Sequence, residues 1–239
     1  MAACRQITKR RMEEIMGIRD IATVKALASK PLLLLLVSLL LVLGCKQEHK
    51  YSKLPYYNTP DFTPLWDSAI SSDTVHRIGK FQFSDQDGKQ IGDSIYRDKI
   101  FVANFFFTSC AGICPRMTNN LSEVAKSFKT NPDVRFASFS VMPESDSVAA
   151  LTLYATANNI SAEQWHLLTG NKNDLYHLAR QSFFVEEEAG FNKDSSDFLH
   201  TEHLVLVDKH GHIRGLYDGT LPLETERLTS DIKTLLAES

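Results

Sequence analysis

The stretch Ile100–Met117, IFVANFFFTSCAGICPRM, decides how this chain is read. It opens as an apolar run from Ile100 to Phe107, interrupted only by Asn104. A short run of this kind, rich in aromatic residues, marks a strand covered on both faces. Thr108, Ser109, Cys110, a loose Ala-Gly-Ile and Cys114-Pro115 follow. Beyond Pro115 the apolar residues fall at helical spacing, at Met117, Leu121, Val124, Ala125 and Phe128. Proline suits the first turn of a helix, where its missing N–H is not needed. Two cysteines therefore sit where a buried strand hands over to a helix.

That position has chemical consequences. The free N–H groups and dipole of a helix N-terminus favour anions, so a thiol there tends toward thiolate. Cys110 and Cys114 are four apart, and a first helical turn holding both would set their Cβ atoms roughly 5–6 Å apart on one face. Such a pair can close a disulfide after small adjustment, or give one metal ion two soft sulfur ligands. The bland alternative is two core cysteines, and the scarcity of cysteine argues against it. Of four in the chain, Cys4 and Cys45 belong to the N-terminal region, which leaves this close pair alone in the folded part. That is a redox or metal pattern, not a disulfide scaffold.

The chain has 239 residues, 43% of them hydrophobic, enough for one sizeable core and a tail. Seven Lys/Arg and three Asp/Glu precede Cys45, a net of +4; with −3 over the whole chain, −7 remains from Cys45 onward. An acidic domain argues against nucleic acid as a partner. The basic start leads into PLLLLLVSLLLVLGC, Pro31–Cys45, whose apolar part is too short for a comfortable span and suits a signal-peptide core. Val42-Leu43-Gly44-Cys45 resembles a bacterial lipobox, which implies lipidation at Cys45. The alternative is an uncleaved signal anchor with Cys45 incidental; either places the remainder outside the cytoplasmic membrane. The expected organisation is a leader over residues 1–44, a tether over 45–73 whose later half packs on the domain, and a domain over 74–239.

Within that domain, Phe81-Gln82-Phe83 and Ile91 flank Asp85–Gly88, a hairpin signal. Val134–Val141 alternates as a strand, and Ser145 or Asp146 is placed to cap a helix running to about Asn158. Trp165–Leu168 reads as a short strand, Asn171–Ala179 as a short helix, and Phe183–Phe191 as a hairpin. Leu204–Val207 and Ile213–Tyr217 flank the turn Asp208–Gly211, and Leu221–Leu236 is an amphipathic helix. A redox-type cysteine pair after the first central strand of this order predicts an α/β, thioredoxin-like domain: a central mixed sheet flanked by helices, with an additional N-terminal hairpin.

Three residues between the cysteines widen the loop beyond the two usual in thiol oxidoreductases and suit metal coordination. Two thiolates and one imidazole make a good low-coordinate Cu(I) site that also accepts Cu(II). Of eight histidines, His49, His76, His166, His177, His210 and His212 fall in the tether, in ordinary elements or at the far hairpin turn. His200 and His203 precede the strand expected to close over the cysteine helix, and both stay open on this reading.

The motifs FTSCAGICP at Phe107–Pro115, SFSVMPESDS at Ser138–Ser147, WHLLTG at Trp165–Gly170, and HTEHLVLVD followed by GHIRGLYDG together resemble the Sco/SenC family. These are thioredoxin-fold copper proteins that assist cytochrome c oxidase assembly, and the resemblance runs from about Ile78 to the C-terminus. In the family the ligand histidine precedes the strand's terminal Asp by eight positions, which from Asp208 gives His200. The resemblance thus implies Cys110, Cys114 and His200 as copper ligands. Two departures stand out: Ala111 replaces the family's usual proline after the first cysteine, and Met142 replaces its usual Asp, removing a carboxylate near the site.

The implied function is a membrane-tethered copper chaperone of the cell envelope. It would pass copper to the CuA centre of a cytochrome c oxidase subunit, or exchange it with another copper chaperone. The resemblance also permits a thiol–disulfide oxidoreductase, in which Cys110 attacks and Cys114 resolves, and a redox or copper sensor without turnover.

Overall fold

The computed structural model describes residues 53–66, 74–185 and 201–238. The described elements, in order, are β1 (Tyr56–Tyr57), β2 (Pro64–Leu65), β3 (Gln82–Ser84), β4 (Gln90–Gly92), β5 (Ile100–Phe106), α1 (Cys114–Ser127), β6 (Val134–Ser140), α2 (Val148–Ala157), β7 (Trp165–Leu168), α3 (Lys172–His177), β8 (His203–Val207), β9 (Ile213–Asp218) and α4 (Pro222–Ala237). Short 3-10 and π turns follow β4 and α3.

Every residue of β5 is buried, as its apolar run requires. It stands at the centre of a five-stranded sheet ordered β7-β6-β5-β8-β9. Strands β7, β6 and β5 run parallel, while β8 opposes β5 and β9 opposes β8. This is the expected mixed thioredoxin-like sheet. One face of β5 (Ile100, Val102, Phe106) packs under α1, α2 and α4, with Leu121, Leu151 and Leu228 among its partners. The other (Phe101, Ala103, Phe105) packs under the β3–β4 hairpin, α3 and Phe183. Asn104, the break in the apolar run, is paired: its Oδ1 accepts from Ser138 Oγ at 2.5 Å, which in turn accepts from Trp165 Nε1 at 2.8 Å. One polar relay thus crosses three strands and pairs the Ser138 hydroxyl and the Trp165 indole N–H.

The hairpin turns on Gly88, at φ +76°, and closes the outer edge of β7. The Gln86 side chain donates to Trp165 O at 2.9 Å and accepts from Leu167 N at 2.8 Å, so it pairs with the strand as a neighbouring backbone would. Asp85 accepts from the turn amides of Asp87 and Lys89 and meets His166 Nδ1 at 3.2 Å. An open edge strand is a pairing hazard, and this one is covered.

Three local expectations change. The cap of α2 is Ser147, whose side chain accepts from Ala150 N, because Asp146 is drawn inward by other partners. Phe183 and Val185 are buried in the second core layer outside any strand; the rest of the hairpin expected to Phe191 lies outside the described residues. Among the described residues of the expected tether, 53–66, the packed part is Leu54 to Phe62, while Trp66 is exposed. Its anchor is Arg214, which donates to Pro55 O at 3.0 Å and Leu54 O at 2.7 Å and lies 4.1 Å from the Tyr56 ring centroid. Arg214 also pairs with Asp208 at 3.1 Å and with Glu238 at 3.2 Å, tying β9 to the turn before it and to the end of α4. The unit Tyr51–Ser239 is compact by itself and closes both core layers from within.

Removing Arg214 strands two carboxylates, one of them buried. Arg214→Ala should lose about 3–5 kcal/mol in urea unfolding. The Asp208 carboxyl would be raised by burial, but hydrogen bonds from His212 and the Arg214 charge outweigh this and hold it low. Its stabilising contribution is therefore full above about pH 4 and fades as pH falls through the lowered value. Without Arg214 the acid-unfolding midpoint should move to higher pH.

Candidate metal and redox centre

The chain leaves β5 at Phe106 and turns through Thr108 and Ser109 before α1 begins at Cys114. The helix starts later than the four-residue spacing would need for both cysteines to share its first turn. Cys110 sits in the loop, half-buried, and Cys114 is the first helical residue, 1% exposed. Pro115 follows directly, where its missing N–H is harmless. Met117 and Leu121 lie on the same buried face and carry Cys114 into the core.

The two thiols are unlinked and share a hydrogen bond. Burial would raise the Cys110 thiol, but the Cys114 side chain and the backbone N–H groups of Cys114, Gly112 and Ile113 all turn to its sulfur and hold it below the usual range. Cys114 is pushed up to about 12, first by burial and then by its role as donor to Cys110. The pair is therefore polarised: an outer sulfur whose thiolate is favoured relative to an ordinary thiol, and an inner one whose thiol is favoured. Both donors are soft, and the outer one faces the surface, which suits a soft cation arriving from solvent.

A carboxylate that sequence reasoning took for a helix cap fixes the loop. Asp146, fully buried, accepts from Thr108 Oγ1 at 2.6 Å, from Thr108 N at 3.2 Å and from Ser140 Oγ at 2.6 Å. Thr108 stands two residues before Cys110, so the loop is bolted to the end of β6. Tyr154 of α2 forms a side wall: its ring lies 5.4 Å from that of Phe106, and its hydroxyl meets Thr118 Oγ1 of α1 at 2.8 Å. Neither the Thr108–Asp146 nor the Thr118–Tyr154 contact has a local sequence signal, since each joins residues more than thirty positions apart.

His200, the implied third ligand, and Cys45 lie outside the described residues. Strand β8 starts at the end of the sheet where β5 leaves, so Thr201 and Glu202, which lead into it, lie at the cysteine end. His203 opens β8 on the pleat face of Val205 and Val207, whereas Cys114 packs on the face of Leu204 and Leu206. Alternation thus turns His203 away from the cysteine layer. Of the other histidines, His166 is bonded to Asp85 and His212 to Asp208, and the His210–His212 turn is at the far end of the sheet. Among the described residues no three His, Cys, Asp or Glu side chains gather in a way that could hold a metal, so a site with an imidazole or carboxylate as third ligand to the cysteine pair draws it from beyond them.

Comparison with known proteins follows from this geometry. The family model SCO1/SenC matches residues 71–237. A SCO1/SenC family lipoprotein from Bacillus anthracis is 30% identical in its crystal structure, with a TM-score of 0.59 over 67% of this chain and 95% of that one. BsSco, a member of the Sco family of cytochrome c oxidase assembly proteins in which a disulfide switch was identified, is also 30% identical, with a TM-score of 0.58 over 70% and 96%. ScoI of Bradyrhizobium japonicum with copper bound, 23% identical, shares the fold at a TM-score of 0.53 over 67% and 99%.

Two outcomes are expected. Brief iodoacetamide treatment at pH 7, read by peptide mass mapping, should label Cys110 at least about tenfold faster than Cys114. Asp146→Ala should cost about 1–3 kcal/mol of stability and speed hydrogen exchange at the Thr108 amide, which loses its acceptor.

Proposed function

The chain belongs to the SCO1/SenC family, and from that premise we propose that it binds copper as cargo during cytochrome c oxidase assembly. Cys110, Cys114 and His200 hold the ion, and the acceptor is the CuA centre of an oxidase subunit. The observation that carries this reading is the polarised sulfur pair at the exit of β5: two soft donors in hydrogen-bond contact, one surface-facing and one anchored in the core. Copper bound to a protein of the same fold and an assembly role given for BsSco support it. Bound copper supplies the exchangeable soft Lewis acid. The protein supplies a fixed inner sulfur, an outer sulfur open to exchange, and a loop held by Asp146.

Residues 1–44 act as a leader, Cys45 carries lipid, and 46–73 link it to the domain at 74–239, outside the cytoplasm. The lipobox-like Val42–Cys45 and the family lipoprotein of Bacillus anthracis support this arrangement. A lipid anchor raises the local concentration of the domain at a membrane-bound acceptor.

The unequal thiols favour a second reading, dithiol reduction of a partner disulfide. The Cys110 thiolate attacks one partner sulfur and releases the other as a thiolate. Cys114 then passes its proton to the partner thiolate released in the first step and attacks the Cys110 sulfur, breaking the mixed disulfide and releasing the second partner sulfur as a thiolate. The partner gains two electrons and the pair becomes a disulfide. This route has no use for His200.

Anaerobic Cu(I) titration of residues 46–239 against a competing chelator tests the first reading. One tight equivalent is expected, lost in Cys110→Ser, weakened about tenfold or more in His200→Ala and unchanged in His203→Ala. Equal binding by the wild type and His200→Ala would sink the three-ligand site and leave the dithiol reading.

A further inference from the structure

The cysteine end of the sheet carries an exposed thioether. Met142 is 40% exposed although large and apolar, and it stands two residues past the end of β6. Its backbone is held from both directions. The amide donates to Ser140 Oγ at 3.1 Å, and the carbonyl accepts from Ser145 N at 3.0 Å and Asp146 N at 2.9 Å. The side chain is the free part of the residue.

The pairing of β6 with β5 runs one step past the ladder, with Val141 N donating to Phe106 O at 2.9 Å. Met142 is therefore carried alongside the start of the cysteine loop, with neighbouring strands about 4.8 Å apart. The turn that begins at Met142 ends at Asp146, and Asp146 grips Thr108. Thr108 and Cys110 are two residues apart, at most about 7 Å along the chain. A methionine side chain, with three rotatable bonds, spans gaps of that order. The turn bearing the thioether and the loop bearing the outer thiol are thus joined by one carboxylate.

We propose that Met142 is an auxiliary soft donor to copper(I) at the mouth of the Cys110–Cys114 pair. The inference rests on the copper reading above and deepens it. A thioether is soft and neutral, so it adds a bond to Cu(I) without adding charge, and it favours Cu(I) over the harder Cu(II). A leucine of similar size would keep the apolar surface and remove the donor; an aspartate would offer a hard oxygen instead.

The test uses residues 46–239 as wild type, Met142→Leu and Met142→Asp, with thermal melts to verify that each variant is folded. Cu(I) affinity is measured against a chelator, Cu(II) affinity separately, and the sulfur count around bound Cu(I) by X-ray absorption. Met142→Leu should bind Cu(I) about tenfold more weakly and lose one sulfur scatterer, with Cu(II) affinity within twofold of wild type. Met142→Asp should raise the ratio of Cu(II) to Cu(I) affinity above that of both others. A Met142→Leu protein matching wild type in Cu(I) affinity and sulfur count overturns the Met142 role and leaves the copper reading standing. A wild type without tight Cu(I) binding overturns both.

Discussion

Burial of β5 on both faces is the constraint on which the other features depend. A strand with no wet face needs a layer on each side, so α1, α2 and α4 cover one and the hairpin, α3 and Phe183 the other. Its backbone must be paired on both edges, which fixes β6 and β8 as neighbours. The price falls at its exit. The chain that leaves so buried a strand brings polar backbone groups with it, and the Thr108 amide finds its acceptor in Asp146. The loop holding Cys110 is a consequence of how β5 ends.

The same exit makes the two sulfurs unequal. Cys114 is the first residue of α1 and lies on the face that carries Met117 and Leu121 into the core, so it is buried whatever chemistry it serves. Cys110 precedes the helix and meets the N–H groups of the following turn. Their difference comes from where the helix begins. A shorter loop would draw both into one environment; three intervening residues leave one sulfur near the surface and one in the core.

The strands of the central sheet and the β3–β4 and β8–β9 hairpins were legible because their signals are local: a period of two, a doubly apolar run, Asp-Gly and Lys-His-Gly turns; the short β1–β2 pair and the segment at Phe183–Val185 had no such signal. So was the sulfur pair, which needs only four residues to be seen. What was not legible depends on distant partners. Ser145, Asp146 and Ser147 are all plausible caps by type, and only the presence of Thr108, 38 positions earlier, removes Asp146 from the choice. Asn104 looked like a flaw in a strand until Ser138 and Trp165 arrived beside it. The packed stretch at Leu54 carries no periodic pattern; Arg214, 160 positions away, holds it. Between His200 and His203, the pleat of β8 speaks only about His203.

Stability and chemistry are placed at opposite ends of the sheet. The charged clasp of Arg214, Asp208 and Glu238 gathers where β8 ends, with Tyr56 and His212 packed on it. The cysteine end has no comparable buried ion pair among the described residues, only the exposed Glu144–Lys172 pair; its loop is held by Asp146 through neutral donors and by the wall of Tyr154. Local opening free energies follow such differences in anchoring. The proposed copper and dithiol roles would require the sulfur pair to pass among thiol, disulfide and metal-bound states, and so to move by fractions of an ångström to a few ångströms. Here it can do so at the lightly held end, while the clasp keeps the first and last described segments joined at the other.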